Sequence, residues 1–371
     1  MAVSLPLVGG GGALMDAEIL ILGGGAAGAA AAITLARAGR EVLIVERETE
    51  AREKVCGEFL GADAAGHLAR LGLCPAALGG VALHRAQIAC GDHFADHPLP
   101  FAAWGLPRSI LDEALLAEAT RCGATLLRGA TVQALLHAEP GWAVRLADGR
   151  QLCAPLLVLA TGKHDLRGWP RTAGGGAVGL KLHLRLAEQP AGIVLLPLAG
   201  GYAGLQPSTN GQANLCAAFS RGAAGAPARS AAALLDLAAS ASTHAAHLLR
   251  GAEATTARPL AVAGVPYGFR HAAAEDAAGL YRVGDQLSVI PSLAGGGVAM
   301  ALASGIGAAE AILAAQPAAQ FHAQWRRRVD APMRWAGAAA SLLGVLPGLS
   351  TRIAARLPAG LALVARRTRV A

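Results

Sequence analysis

Gly23, Gly25 and Gly28 stand as G-x-G-x-x-G, with Ala26 and Ala27 between the last two. Glycine at these places permits three things. Gly23 allows a tight turn, Gly25 lets backbone N–H groups approach a pyrophosphate, and Gly28 lets a helix lie close on the preceding strand. Eighteen residues after Gly28 comes Glu46, an acid placed to accept hydrogen bonds from an adenosine ribose. The chemistry implied is the binding of a dinucleotide. A second set lies in Val178 to Arg185, where apolar and basic residues alternate, so a period of two puts Lys181, His183 and Arg185 on one strand face. That face is either solvated, or it presents His183 or Lys181 to a substrate oxygen.

These residues need particular elements to position them. Ile19 to Leu22 is a short apolar run that reads as a buried parallel strand, and residues 26–38 read as an Ala-rich helix ended by Gly39. Glu41 to Val45 reads as the next strand, with Glu46 at its end. The helix N-terminus then offers free N–H groups and a positive dipole end to phosphates. Far downstream, Leu280 to Asp285 reads as a strand ending in Gly284-Asp285. Pro291, the run Gly295-Gly296-Gly297 and an Ala-rich helix to about Ala315 follow.

This downstream arrangement resembles the second FAD motif of the p-hydroxybenzoate hydroxylase-like and geranylgeranyl reductase-like flavoproteins. The resemblance spans roughly residues 15–325 and implies FAD as the cofactor. It places Gly284 and Asp285 at the ribityl chain, and Pro291, Gly295, Gly296 and Gly297 at the isoalloxazine ring, where a helix N-terminus favours negative charge on the reduced ring. It also implies that Arg108, ahead of a helix over Leu111 to Cys122, lies near the ring. Thr161 and Gly162, closing the apolar strand from Leu156, complete the nucleotide domain. Arg47 and Arg52, beside Glu46, are assigned to the cofactor with them. Lys54-Val55-Cys56-Gly57-Glu58 looks like the Lys-x-Cys-Gly-Glu stretch of the reductase-like proteins, which implies that Cys56 and Glu58 line the active site; the alternative is a buried Cys with a turn at Gly57. The segment Gly200 to Leu205 approaches the ring from the substrate side in that family, so Tyr202 either bonds substrate or is a packed aromatic.

The hydroxylase part of the resemblance has a gap. Aromatic hydroxylases carry Asp-Gly soon after the Ala-Thr-Gly strand, whereas this chain reads Gly162 to Gly168 with no such pair, which puts NADPH use by that route in question. The leading expectation is a monooxygenase acting on a hydrophobic phenolic, quinone-like or polyketide molecule. The alternative is a reductase that saturates C=C bonds of an isoprenoid, and a lesser one is a non-catalytic flavin-binding protein. A Trp-x-Trp-x-Ile-Pro stretch, expected of a flavin-dependent halogenase, does not occur. No separate NAD(P)H domain is evident, so NAD(P)H binding transiently, or a reduced protein donor, is the expected electron source.

The fold class implied is α/β: a Rossmann-like FAD-binding domain of the GR2 type, with an inserted β-sheet substrate domain and a C-terminal helical tail. Residues 15–75, 105–172 and 272–325 are assigned to the first, and 76–104 and 173–271 to the second. Residues 222–250 read as a helix on the substrate domain, and residues 1–14 as a disordered extension. The six Cys form no CxxC pair, so no metal site is expected and the thiols read as buried fillers. Residues 326–371 carry nine Arg against one acid, while the chain as a whole is only +7, so the rest is near neutral. Arg clusters around an apolar stretch too short to span a bilayer suit contact with the inner membrane surface by a cytoplasmic protein; the alternative is a helical pair with its Arg in water. No aromatic-interleaved basic surface suggests a nucleic-acid partner.

Overall fold

The computed structural model describes residues 15–371 except 140, 172–175, 199, 221, 224, 226–228, 273–276, 357 and 371, so the expected extension over 1–14 lies outside the described residues. The strand Ile19–Leu22 sits in the middle of a five-stranded sheet. Its neighbours on one side are Leu156–Leu159 and then Leu280–Arg282, and on the other Val42–Val45 and then Thr125–Leu127, all parallel. Alternation decides what each face meets. Ile19 and Ile21 turn toward the helices Ala26–Arg37, Arg108–Arg121 and Gly297–Leu313, whereas Leu20 and Leu22 pack against Trp142, Val144 and Leu152 of a smaller four-stranded sheet. Both faces are covered, which is why this strand reads as an unbroken apolar run.

A second, nine-stranded sheet is almost wholly antiparallel. Its central strands are Ala177–Arg185, Gln212–Phe219, Gly201–Pro207 and Ile193–Leu198, followed by Val81–Cys90, His93–Gly105 and Phe59–Leu60. Only Ile193–Leu198 against Val81–Cys90 is parallel. Leu180, Leu182 and Leu184 point to one face, where Leu234, Ala238 and Leu248 of two helices cover them. Lys181 and His183 therefore point to the other.

Three sequence expectations are corrected. Residues 222–250 do not form one helix: Ala231–Ala239 and Thr243–Leu248 are separate, because Ser230 and Ser242 each cap a new start, their Oγ atoms accepting from Ala233 N at 3.1 Å and Ala245 N at 3.0 Å. The tail helix starts earlier than residue 326. Ala318–Val345 is continuous, and Phe321, Trp325, Val329, Met333 and Ala336 bury a stripe at helical spacing against the first core. The cysteines are not buried fillers: Cys74 is exposed and the other five are half-buried. Two shorter helices, Pro347–Arg356 and Pro358–Arg367, finish the chain. Among the described residues no single helix is long and apolar enough to cross a membrane.

Candidate active site

The glycine turn ends in a cradle open toward cations. Gly23 adopts φ +107°, and a Cβ on Gly28 would lie 2.0 Å from the Gly23 carbonyl oxygen, so only glycine lets the helix Ala26–Arg37 start this close to its strand. A Cβ on Gly25 would instead meet nothing nearer than Arg108 Nη2 at 3.8 Å and Lys54 Nζ at 3.9 Å. The helix has no side-chain cap at Gly25. Free N–H groups and two cations around an open space are the chemistry a pyrophosphate requires, so the residues present fit FAD at this end. Glu46 closes the side. Its carboxylate accepts from Gly24 N at 2.7 Å and from Glu48 N at 3.0 Å, and it lines a narrow cleft with Arg52, Lys54 and Asp112. Asp112 is buried and holds both cations: Arg108 binds it through Nε and Nη2 at 2.9 Å each, and Lys54 at 2.6 Å. Burial works against the Arg108 charge, but Asp112 and the Cys56 sulfur more than restore it, and its pKa is raised.

The other predicted cofactor residues fall into two groups. Arg47 and Arg52 both pair with Glu48, at 2.8 and 2.6 Å, and Arg52 also lines the cleft beside Glu46 and Lys54. Gly284, Asp285, Pro291 and Gly295–Gly297 lie in the loop entering the helix Gly297–Leu313, which also lacks a side-chain cap. Gly284 N donates to Ser304 Oγ at 2.8 Å, and Gly295 takes φ +62°, where a Cβ would press on the Phe59 ring at 2.8 Å. Thr161 is spent on its own turn, its hydroxyl donating to the His164 carbonyl at 2.7 Å. The stretch in place of Asp-Gly is pinned: Gln286 Nε2 donates to the Gly162 carbonyl at 2.8 Å, Arg171 Nη2 to the Lys163 carbonyl at 2.7 Å, and Lys163 Nζ to the Val55 carbonyl at 2.8 Å.

On the sheet side, the alternating strand faces a buried polar cluster, and the solvated alternative is overturned. Lys181 is 1% exposed and Glu58 is fully buried. Lys181 Nζ donates to the carboxylates of both Glu58 and Glu53. Glu58 also takes His183 Nε2 at 3.1 Å and Ser208 Oγ at 3.2 Å, and Ser109 Oγ bonds Glu53. Burial raises the Glu58 pKa, but the His183 hydrogen bond and the Lys181 charge outweigh it, so the carboxyl titrates below its ordinary value. Burial likewise lowers Lys181, yet Glu58 and Glu53 bring it above. Glu58 has φ +59°, a left-handed conformation that costs a non-glycine residue strain of about 1 kcal/mol or more. Its backbone N–H reaches Cys56 Sγ at 3.3 Å, and Asn214 Nδ2 donates to the Cys56 carbonyl at 3.2 Å, so Cys56 and Glu58 do share one wall. Arg185, the third residue of the face, is exposed.

Tyr202 stands apart from this cluster. Its hydroxyl bonds Ser292, which also accepts from Tyr267 at 2.8 Å, and its ring, like Leu195 and Leu293, packs against the buried cluster of Ile88, Ala95, Leu343 and Ala354. Burial pushes both phenols well above the usual tyrosine range. Cys216, on the strand next to that of Tyr202, is likewise pushed up, to about 12, by burial.

Several residues were missed by sequence reasoning. Asp112, Glu53, Ser208, Gln206, Asn214, Ser292 and Tyr267 stand outside the defining positions of any motif, and Lys54 opens the Lys-x-Cys-Gly-Glu stretch without a role having been assigned to it. Gln206 is 1% exposed with both amide atoms unpaired, and Asn214 Oδ1 is likewise buried without a partner. Buried polar atoms left open beside a site point to a bound group. Glu53, Glu58 and His183 lie close enough to ligate a metal, but the Lys181 ammonium already bonds both carboxylates, and a cation there would meet a like charge.

Comparison with known proteins agrees with this geometry. The FAD binding domain family matches residues 16–165. Menaquinone reductase of Mycobacterium tuberculosis is 31% identical over 48% of this chain and 49% of its own length, and that of Mycolicibacterium smegmatis is 28% identical over the same shares. The chain spans about half the length of the curated relatives it matches. Among solved structures, flavin-dependent brominase Bmp2 superposes with TM-score 0.78 at 17% identity, covering 95% of this chain and 93% of the brominase. A geranylgeranyl bacteriochlorophyll reductase-like protein of Thermoplasma acidophilum gives 0.71 at 18%, over 97% and 94%. PqsL of Pseudomonas aeruginosa, a probable FAD-dependent monooxygenase, gives 0.67 at 18%, over 94% and 99%. At these identities the likeness speaks for the fold. Together with the cradle, the match over residues 16–165 makes this part of the chain similar to an FAD binding domain, on a fold shared with known flavoproteins.

Proposed function

We propose that the protein is an FAD-dependent monooxygenase that hydroxylates a hydrophobic aromatic, quinone-like or polyketide substrate. One observation carries this reading. The hydroxyls of Tyr202, Ser292 and Tyr267 are bonded together directly before the glycine loop, with Leu195, Leu293 and Ile88 beside them. A few convergent hydroxyls against an apolar wall suit a ligand with an oxygenated ring at one end and an apolar body at the other. Burial keeps both phenols protonated, so they remain donors to a substrate oxygen at neutral pH.

Bound FAD would supply the two-electron and oxygen chemistry. The chain's own residues bind, orient and move protons. Lys181 holds Glu58 ionised, His183 shares a proton with it, and Glu53, the partly exposed end of the cluster, connects to solvent. Gln206 and Asn214 offer unpaired amide atoms to substrate or ring. In the balance of the reaction one oxygen atom enters the product and the other leaves as water, with two electrons from NAD(P)H or a reduced protein donor.

A second reading, saturation of isoprenoid C=C bonds, is favoured by the menaquinone reductase relatives and by the stretch Lys54 to Glu58. His183, oriented by the ionised Glu58, would then deliver the proton that accompanies hydride transfer to carbon. One experiment separates the two. The protein is reduced without oxygen and offered phenolic lipids or a polyprenyl quinone, with and without labelled oxygen gas. The hydroxylase yields a product carrying one labelled oxygen atom and nothing in its absence. A product gaining two hydrogen atoms without oxygen replaces that reading with the reductase. A flavin that no donor reduces leaves only the non-catalytic role.

A further inference from the structure

The most unusual surface lies on the C-terminal helices. Seven of the ten large apolar side chains that stand exposed among the described residues fall between Trp335 and Leu363, so the patch is concentrated in one segment. It centres on the break at Leu346, where Ala318–Val345 and Pro347–Arg356 meet at 116°. Leu342, Val345, Leu346, Leu349 and Ile353 are 42–76% exposed around that elbow. The inner side of the elbow is apolar too, with Leu343 and Ala354 buried against Ile88 and Ala95 of the large sheet. A helix on a water-facing surface keeps its outer side polar; this one is apolar on both sides, so its outer side is covered by something other than water.

The surrounding charge says what covers it. Arg326, Arg327, Arg334, Arg352, Arg356 and Arg366 are exposed on the three helices, and Asp330 is the one acid in residues 326–371. A second copy seated on the patch through a two-fold axis would bring like charges together. A bilayer with anionic headgroups neutralises them while its acyl region takes up the apolar elbow. The elbow is anchored rather than free: His97 Nε2 lies 2.9 Å from the Ala354 carbonyl, and Arg352 Nε lies 2.8 Å from His93 Nε2. We infer that the elbow at residues 342–353 docks the protein on an anionic membrane surface, dipping these apolar side chains below the headgroups. The same helices roof the apolar wall beside Tyr202. If the proposed lipid-like substrate is right, it enters from the bilayer, but the docking itself does not depend on that.

The test uses the full-length flavin-loaded protein and sedimentation with vesicles. One set is phosphatidylcholine alone, and the other contains a third phosphatidylglycerol (roughly the anionic content at which polybasic segments respond). The protein is expected to pellet with the anionic vesicles and to be released in part by high salt. V345S/L346S/L349S should lower partitioning about tenfold or more, and R356Q/R366Q should weaken binding to anionic vesicles alone. All five positions are exposed, so flavin content and melting temperature should stay as in the parent. Equal pelleting by the parent and the triple variant would overturn the inference. So would a parent that sediments as a dimer without binding vesicles, while the triple variant is monomeric, which would assign the patch to a second copy.

Discussion

The cofactor cradle and the substrate-side cluster meet at Cys56 and Glu58, yet they are built on opposite plans. The cradle is mostly backbone: Gly23, Gly25 and Gly28 define it by what they lack, and its side chains come from within about a hundred residues. The cluster is mostly side chain. Glu58 and Glu53 come from one end of the chain, Lys181 and His183 from a strand far along it, and Ser208 from the turn after the strand Gly201–Pro207. A backbone device fails by steric conflict, which is abrupt. A charge network fails through desolvation of whatever is left behind, which is graded and depends on pH.

The largest effect is expected where the backbone leaves no space. Gly28→Val puts its Cβ 2.0 Å from the Gly23 carbonyl and should cost more than about 4 kcal/mol, seen as loss of bound flavin and of soluble protein. Gly25→Ala sharpens the contrast, because its Cβ meets nothing within 3.8 Å. The melting temperature of the flavin-free protein should hold, while flavin affinity falls at least tenfold (about 1.4 kcal/mol, the loss of roughly one phosphate hydrogen bond). A flavin affinity unchanged in Gly25→Ala would place the phosphates elsewhere.

Next comes Lys181→Met, which strands two carboxylates, one of them fully buried. Loss of one partner from a buried ion pair costs about 3–5 kcal/mol, and adding Glu58→Gln should recover part of it. Denaturant unfolding of the two variants checks both statements. Failure of the second change to restore stability would mean that Glu58 contributes through its strained backbone and not its charge.

This difference in plan also explains what was legible in the sequence. The cradle could be read because glycine spacing is a local signal, and Ile19 to Leu22 could be read because both sheet faces are covered. The alternation at Lys181 and His183 told correctly that they share a face. It could not tell what lay opposite, since Glu58 approaches through a turn with positive φ that nothing in Cys56-Gly57-Glu58 announces. Gln206 and Asn214 were invisible too: their importance lies in buried amide atoms left without a partner, both of Gln206 and the Oδ1 of Asn214. The break between Ala231–Ala239 and Thr243–Leu248 was lost because an Ala-rich stretch outweighed two serine caps.

The pH dependence is a smaller and more selective effect. The Glu58 pKa is depressed on folding, so its contribution to stability is present above the ordinary glutamate range and is lost as pH falls through the folded value. Lys181 is raised, so its contribution holds below the ordinary lysine range and is lost as pH rises through its folded value. Between these limits Glu58 and Lys181 should leave stability flat. Unfolding free energies followed into acid should therefore drop more steeply in the parent than in Lys181→Met/Glu58→Gln. Parallel acid limbs would show that Glu58 is not held ionised by its neighbours.

The smallest effect expected is at Tyr202, and it separates substrate binding from both other regions. Tyr202→Phe removes one hydroxyl bonded to Ser292 and keeps the ring against the cluster around Ile88. Loss of one such hydrogen bond is about 0.5–1.5 kcal/mol, or up to about tenfold in kcat/KM. Flavin content should be unchanged, since the hydroxyl belongs to the substrate wall. Because Tyr267 still reaches Ser292 at 2.8 Å, the remaining pair can hold a substrate oxygen less firmly, and the loss should appear in KM rather than kcat. Tyr267→Phe should behave alike, and the double variant should lose more than either, since Ser292 then has no phenol to bond. If Tyr202→Phe lowered kcat and left KM alone, the phenol would act on the reacting atoms and the division between a positioning wall and a proton-holding cluster at Glu58 would fail.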